Sequence, residues 1–282
     1  MWIVVALLFV FLVPVIAYVS YGTLLWFLPR SMNGNFQRLH LSRDEPPHDV
    51  HSVPKVSLVF PTYNEDKVIA RKMENVFSLD YPRDKLEIII VDDASTDKTV
   101  ELLEKLAREN VKIIRHNARK GYNQAMITGT KCASGDIIAL TDAGALQDQK
   151  ALKILVKHFA DPMTGGVTGR QVILNWKEGI GPKFEKDYSK FYNFMRKREA
   201  VLDSTFEAKG EISAFKREIV ENVFDLRLND RGTFDLYLGY LARIIGFKVI
   251  YDEDAVFYEY APRSMKEWFR QKVNRAIITL DT

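Results

Sequence analysis

From residue 56 onward, short apolar runs alternate with longer amphipathic stretches. The runs VSLVF (56–60), EIIIV (87–91), VKIIR (111–115) and DIIAL (136–140) are rich in β-branched residues and stop at polar ones, which predicts buried strands. Helices are predicted near 65–78, 97–109, 121–132 and 148–160. Strands separated by helices of that length make a mostly parallel, doubly wound α/β sheet with helices on both faces. After 160 the pattern changes. GGVTGRQVILN (165–175) reads as an extended pair or one bent strand, and KFEKDYSKFYNFMRKREAVL (183–202) as a long helix. A short strand near 211–215, a helix near 233–245 and the strand FKVIY (247–251) follow. The segment 264–280 sets Met265, Trp268, Phe269, Val273, Ile277 and Leu280 on one helical face, with Lys266, Arg270, Lys272 and Arg275 on others. A basic amphipathic helix of this kind suits an anionic membrane surface; packing against the sheet is the alternative.

The amino-terminal stretch 2–28 is apolar throughout, and residues 1–29 carry no charged side chain. It exceeds the roughly 20 residues needed to cross a bilayer. A secretory signal would need a basic segment before the apolar run and a small-residue cleavage site, and nothing basic precedes it. Arg30, Arg38 and Arg43 follow the run, so the positive-inside rule places residues 30–282 on the cytoplasmic side. The expectation is a single membrane span carrying a cytosolic domain.

A length of 282 residues supports one large domain or two small ones. The balance of 40 Lys+Arg against 37 Asp+Glu leaves +3, which gives no argument for a nucleic-acid partner. The single cysteine, Cys132, excludes an internal disulfide framework and a Cys-rich zinc site.

Candidate chemistry gathers where the strands end. Open α/β sheets bind ligands at the carboxyl ends of their strands. PTYNE (61–65) exposes main-chain groups and the Tyr63 ring, which suits a nucleobase, while Glu65 begins the next helix. VDDAST (91–96) leaves its strand with two adjacent carboxylates: Asp93 suits a base N–H, and Asp92 a ribose or a metal. Each element also has a plain reading as a capped helix start. ARKGYNQA (118–125) places Arg119 and Lys120 before Gly121 and a helix start, a phosphate-binding arrangement. Neither a P-loop nor a GxGxxG fingerprint occurs. In TDAG (141–144), Asp142 ends a strand and suits Mg²⁺ or Mn²⁺, which are hard cations served by oxygen.

This ordered set resembles glycosyltransferase family 2, the inverting nucleotide-sugar transferases, over about residues 55–280. The resemblance implies a GT-A fold, Rossmann-like and mostly parallel. It implies an anchor (1–29), a linker (30–54), a catalytic domain (55–262) and an amphipathic interfacial helix (263–282). The catalytic domain would divide into a nucleotide-binding half (55–160) and an acceptor-binding half (161–262). Pro61, Thr62, Tyr63, Glu65, Asp92, Asp93, Lys120 and Asp142 would bind the nucleotide, with Asp142 also holding the metal. The family's Asp-x-Asp stands here as Asp142-Ala143-Gly144, so one carboxylate is missing. Ala143, Gly144, Gly210 and Glu211 would lie by the transferred sugar.

Asp235 takes the position of the family's general base, Phe234 replaces the usual preceding acid, and Asp230 is the runner-up. Gln271-Lys272-Val273-Asn274-Arg275 matches the Gln-x-x-Arg-Trp of processive synthases poorly, which disfavours processive synthesis. Arg270, Gln271 and Arg275 remain candidates for phosphate contacts. The implied activity moves a sugar from a UDP- or GDP-sugar to a lipid-linked or saccharide hydroxyl at the membrane. Two alternatives stand beside it. A nucleotidyltransferase would want a Gly-rich basic loop after the first strand, which PTYNE is not; a non-catalytic nucleotide-sugar binder is motivated by Gly144 and Phe234.

Overall fold

The computed structural model describes residues 20–21, 53–205, 207–224 and 233–280. The expected anchor and linker lie almost wholly outside the described residues, as does Asp230, and so does the side chain of Arg275. Among the described residues no helix is long and apolar enough to cross a membrane.

Eight strands form one sheet in the order β3-β2-β1-β4-β7-β6-β8-β5. They are β1 (Val56–Thr62), β2 (Leu86–Asp92), β3 (Val111–Arg115), β4 (Ile137–Leu140), β5 (Leu146–Gln147), β6 (Thr164–Ile173), β7 (Ser213–Lys216) and β8 (Lys248–Glu259). The helices are α1 (Ile69–Phe77), α2 (Thr99–Leu106), α3 (Tyr122–Lys131), α4 (Ala151–Lys157), α5 (Ile180–Leu202), α6 (Arg217–Val223), α7 (Phe234–Ile244) and α8 (Met265–Leu280). The four strands read first from the sequence are the parallel block β3-β2-β1-β4. The apolar character of β1, β2 and β4 follows from burial on both faces, with Leu58, Val59 and Phe60 all fully buried, whereas β3, expected to be buried, lies at the sheet edge and has no buried residue. One layer packs Ile69, Met73, Leu103 and Leu155 against Leu58 and Phe60. The other packs Met126, Phe215, Phe234 and Leu238 against Val59 and Ile89.

The sheet is mixed but mostly parallel: six strands run one way, and two, β7 and β5, run against them. Strand β7 runs antiparallel to both β4 and β6, and β5 runs antiparallel to β8. Period and composition report a strand's existence but not its direction, so the second half gave no warning. The bent strand at 165–175 is the single strand β6, whose pairing with β8 shifts register between Thr164 and Gly166 and again between Thr168 and Arg170.

Register aligns the strand ends at one rim. Thr62 faces Asp92 across β1 and β2, Val59 faces Leu140 across β1 and β4, and Leu140 faces Ser213 across β4 and β7. Ile173 faces Glu259 across β6 and β8. Helix α8 packs on α5. The buried Glu185 accepts hydrogen bonds from Trp268 Nε1 (2.6 Å) and Lys272 Nζ (2.8 Å). This clasp turns Trp268 inward and leaves Phe269 and Val273 exposed, so the expected single apolar face is split.

Candidate active site

A cavity of about 320 Å³ opens at the aligned strand ends. Its walls come from Pro61, Thr62, Tyr63 and Glu65 after β1, from Asp93 after β2, and from Asp142, Ala143 and Gly144 after β4. Arg119, Gly121 and Tyr122 at the start of α3 complete one side, and Glu211 and Glu259 the other. Three of the four acidic elements picked out in the sequence therefore meet in one place. The fourth lies beside it. Asp235, in the first turn of α7, accepts a hydrogen bond from the Gly210 N–H at 2.8 Å.

The β1 and β2 loops brace each other. Asn64 adopts φ 56°, accepts from the Thr96 N–H at 2.9 Å and donates its own N–H to Ser95 Oγ at 2.9 Å. Asn tolerates this left-handed conformation better than most residues. The plain reading of Asn64 as a cap is not what forms, since α1 starts only at Ile69 and carries no side-chain cap. Tyr63 is presented at the rim with the Arg119 guanidinium 4.1 Å above its ring. The stacked pair offers a flat polarised surface to a nucleobase.

Asp92 and Asp93 do different work. Asp92 is fully buried behind the wall, accepts from the Ser95 N–H at 3.0 Å, and lies 3.6 Å from Arg115 Nε. It does not line the cavity. Asp93 does, but most of its carboxylate is engaged. Oδ1 takes His116 Nδ1 and the Lys120 N–H, both at 2.8 Å, and Oδ2 takes the Gly121 N–H at 2.8 Å. Burial opposes ionisation of Asp93, yet these bonds together hold its carboxyl below the usual carboxylate range. Gly121 has φ 89°, so the α3 start depends on both the glycine and this carboxylate. Asp93→Ala is therefore expected to destabilise the domain by about 2–3 kcal/mol, because three charge-assisted bonds are lost and the buried His116 ring loses its partner. Urea unfolding measures this.

Lys120 contributes its backbone to this knot. Its side chain is exposed and does not line the cavity, and Arg119 is the cation that does. Arg270 and Gln271 line a separate surface depression with Pro262 and Glu267, so the structure does not bring them to the cavity.

The far wall is strongly acidic. Burial, then Glu211, Asp235 and Glu259, push the Asp142 carboxyl up to about 8, with the Lys72 ammonium opposing. Burial and then Glu211 push Asp235 up to about 6. Tyr122 stands among these acids: burial, the charges of Asp142, Asp235 and Glu211, and a hydrogen bond to Asp142 raise its phenol well above the usual value. Gly210 sits in the same knot. A Cβ built there would lie 2.9 Å from the Tyr122 hydroxyl and 3.2 Å from the Asp235 carboxyl carbon. A side chain at 210 would force the Tyr122 hydroxyl or the Asp235 carboxyl to shift.

Whether a divalent cation suits these residues can be judged from Asp142. Its Oδ1 is buried and has no hydrogen-bond partner, an expensive state for a carboxylate oxygen. Neighbouring acids crowd it, which a cation would relieve. Among the described residues no three His, Cys, Asp or Glu side chains group closely enough to hold an ion unaided. The donor set therefore fits a cation bound by one carboxylate, with a diphosphate and water completing the shell. Gly144 is exposed, and a Cβ there would meet nothing within 4 Å, so the missing second carboxylate is not a steric requirement.

Four participants were missed in the sequence: Tyr122, His116, Glu259 and Lys72. Lys72 left a signal. It stands on the apolar stripe of α1 with Ile69, Met73 and Val76, and it is fully buried. Burial pulls its ammonium down to about 7 and Asp142 opposes the fall. Glu259 was missed because the acidic residues 252–254 made the last strand look finished at 251, whereas β8 continues to Glu259.

The family model for "Glycosyl transferase family 2" matches residues 57–224. A poly-beta-1,6-N-acetyl-D-glucosamine synthase of Staphylococcus aureus is 27% identical over 236 residues, covering 82% of this chain and 56% of the relative. The probable glycosyltransferase YdaM of Bacillus subtilis is 26% identical over 258 residues, covering 87% of this chain and 60% of the relative. The chain thus spans little more than half the length of these curated relatives. Among solved structures, the mannosyltransferase PcManGT of Pyrobaculum calidifontis, in complex with GDP-Man and Mn²⁺, superposes with a TM-score of 0.69 at 28% identity. That match covers 92% of this chain and 72% of the other. TarS residues 1–349 of S. aureus, in complex with UDP-GlcNAc, has a TM-score of 0.57 at 18% identity, over 74% of this chain and 59% of the other; it speaks for the fold alone. With these matches laid on the rim geometry, the chain belongs to glycosyl transferase family 2.

Proposed function

We propose that this chain transfers a sugar from a nucleoside diphosphate-sugar to an acceptor hydroxyl with inversion of configuration. The observation that carries the reading is the convergence of Asp142 and Asp235 on Tyr122 and Gly210 at the rim of one sheet. Tyr63 and Arg119 take the base. Asp142 would hold Mg²⁺ or Mn²⁺, and the cation would neutralise charge on the leaving diphosphate. GDP-Man with Mn²⁺ in PcManGT, and UDP-GlcNAc in TarS, motivate a UDP- or GDP-sugar donor here.

Asp235 acts as general base. Gly210 holds one carboxylate oxygen, and the other accepts the acceptor's proton. The acceptor oxygen then bonds the anomeric carbon from the face opposite the diphosphate, while the bond from that carbon to phosphate oxygen breaks. The acceptor is a saccharide or lipid-linked hydroxyl. The apolar run 2–28 tethers the domain to the cytoplasmic face of a membrane, and α8 lies beside that surface. Incubation with a panel of UDP- and GDP-sugars and Mg²⁺ or Mn²⁺ is expected to release nucleoside diphosphate from at least one. Pyrophosphate release from a nucleoside triphosphate, or no release across the panel with any saccharide or lipid-linked acceptor, overturns the reading.

A further inference from the structure

Lys72 occupies a position that the packing alone would give to leucine or methionine. Its side chain lies wholly inside, between α1 and the sheet, with the ammonium 5.4 Å from the centre of the Phe60 ring. A buried ammonium is costly unless its donors are used. Here they are. Nζ donates to Thr141 Oγ1 at 2.8 Å and to the Ala145 carbonyl at 2.6 Å. These two residues bracket Asp142, and the turn between them is closed by the Ala145 N–H donating to the Asp142 carbonyl at 3.2 Å. Thr141 Oγ1 in turn donates to the Glu211 carbonyl at 3.1 Å.

We propose that Lys72 is a positioning residue for transfer: it fixes both ends of the Asp142 loop and, through the Thr141 hydroxyl, the segment carrying Gly210 and Glu211. One ammonium thus sets the donor side and the acceptor side of the cavity relative to each other. Thr141 can donate onward because Lys72 already supplies the proton its oxygen accepts. An apolar residue would fill the space and leave the Ala145 carbonyl and the Thr141 oxygen without this partner. The inference rests on the transferase reading for its consequence, but its geometry stands apart from that reading.

The test is hydrogen exchange on the ligand-free full chain, wild type against Lys72→Met, which keeps length and removes the ammonium. Residues 141–145 and 209–212 are expected to exchange at least about tenfold faster, with β1 and β2 unchanged. A general loss of stability would raise exchange in β1 and β2 as well. Calorimetric titration with UDP or GDP in the presence of Mn²⁺ is expected to show about tenfold weaker binding by the variant. Thr141→Val is a second variant, usable even if Lys72→Met does not fold. It keeps the Ala145 bond but removes both the bond that Lys72 makes to residue 141 and the link to Glu211, so faster exchange is expected in 209–212, with a smaller rise in 141–145 than in Lys72→Met. Wild-type exchange in both segments of Lys72→Met, or in 209–212 of Thr141→Val, overturns the proposal. Failure of the wild type to bind either nucleoside diphosphate counts against the transferase reading, while the exchange result still decides the role of Lys72.

Discussion

Replacing Asp235 by asparagine is expected to lower kcat by about 10²–10⁴-fold, the usual contribution of a positioned base. Binding of the nucleoside diphosphate should stay within about twofold of wild type, because Asp235 sits behind Gly210 and does not line the donor wall. Asparagine keeps an oxygen for the Gly210 N–H, so the local backbone is preserved. The pH profile offers a second check. Burial, then Glu211, raise the Asp235 carboxyl to about 6. A base acts only when deprotonated, so with donor and Mn²⁺ saturating and Asp142 thereby held ionised, kcat should fall as pH drops through about 6, two units above the range of an exposed aspartate. The acid limb should be missing from the residual activity of the asparagine variant. An unchanged kcat would leave the chain a binder of nucleotide sugars and not a catalyst.

The second large effect is expected at Asp142, and it has two opposite signs. Asp142→Asn removes the carboxylate proposed to hold the cation, so Mn²⁺-dependent strengthening of nucleotide binding should vanish in a calorimetric titration. Stability should move the other way. A carboxyl whose folded pKa is raised to about 8 binds protons more tightly in the folded state than in the unfolded one. Its contribution is complete below about pH 4 and is lost as pH rises towards 8. At neutral pH folding must take up a proton at Asp142, a cost that the asparagine variant lacks, so the variant should melt higher. A gain of roughly 2–4 °C corresponds to about 1 kcal/mol in a domain of this size. A lower melting temperature would mean that Asp142 is a structural residue, and the cation site would have to be sought elsewhere.

The strand ends were readable because each apolar run stops at a residue of a different chemical kind. Val59 and Phe60 lead to Thr62, Val91 to Asp92 and Asp93, and Leu140 to Thr141 and Asp142. Which of these side chains reaches the cavity was not readable. Asp92 and Asp93 are neighbours in sequence, yet one is sealed behind the wall and the other lines it. Strand alternation sends them to opposite sides. Lys120 and Arg119 pose the same problem, and there the loop conformation fixed by Asp93 and Gly121 decides. Asp235 depends on a contact between segments 25 residues apart, which no local pattern encodes. Lys72 shows the reverse: a charge on an apolar helical stripe is visible in the sequence and points to a buried partner.

The change of strand direction at β4 and β7 bears on which changes reach the acceptor. On one side lies a purely parallel block that presents Tyr63, Asp93 and Asp142; on the other, an antiparallel joint introduces Gly210, Glu211 and Asp235. The junction is a short ladder, Ile137–Leu140 against Ser213–Lys216, crossed also by the Thr141 hydroxyl and the Arg217 guanidinium. On the proposed reading the seam separates the groups assigned to the donor from those assigned to the acceptor, so changes confined to the far side would alter the acceptor without touching Tyr63, Asp93 or Asp142. Chimeras exchanged along this ladder are the natural way to redirect the product.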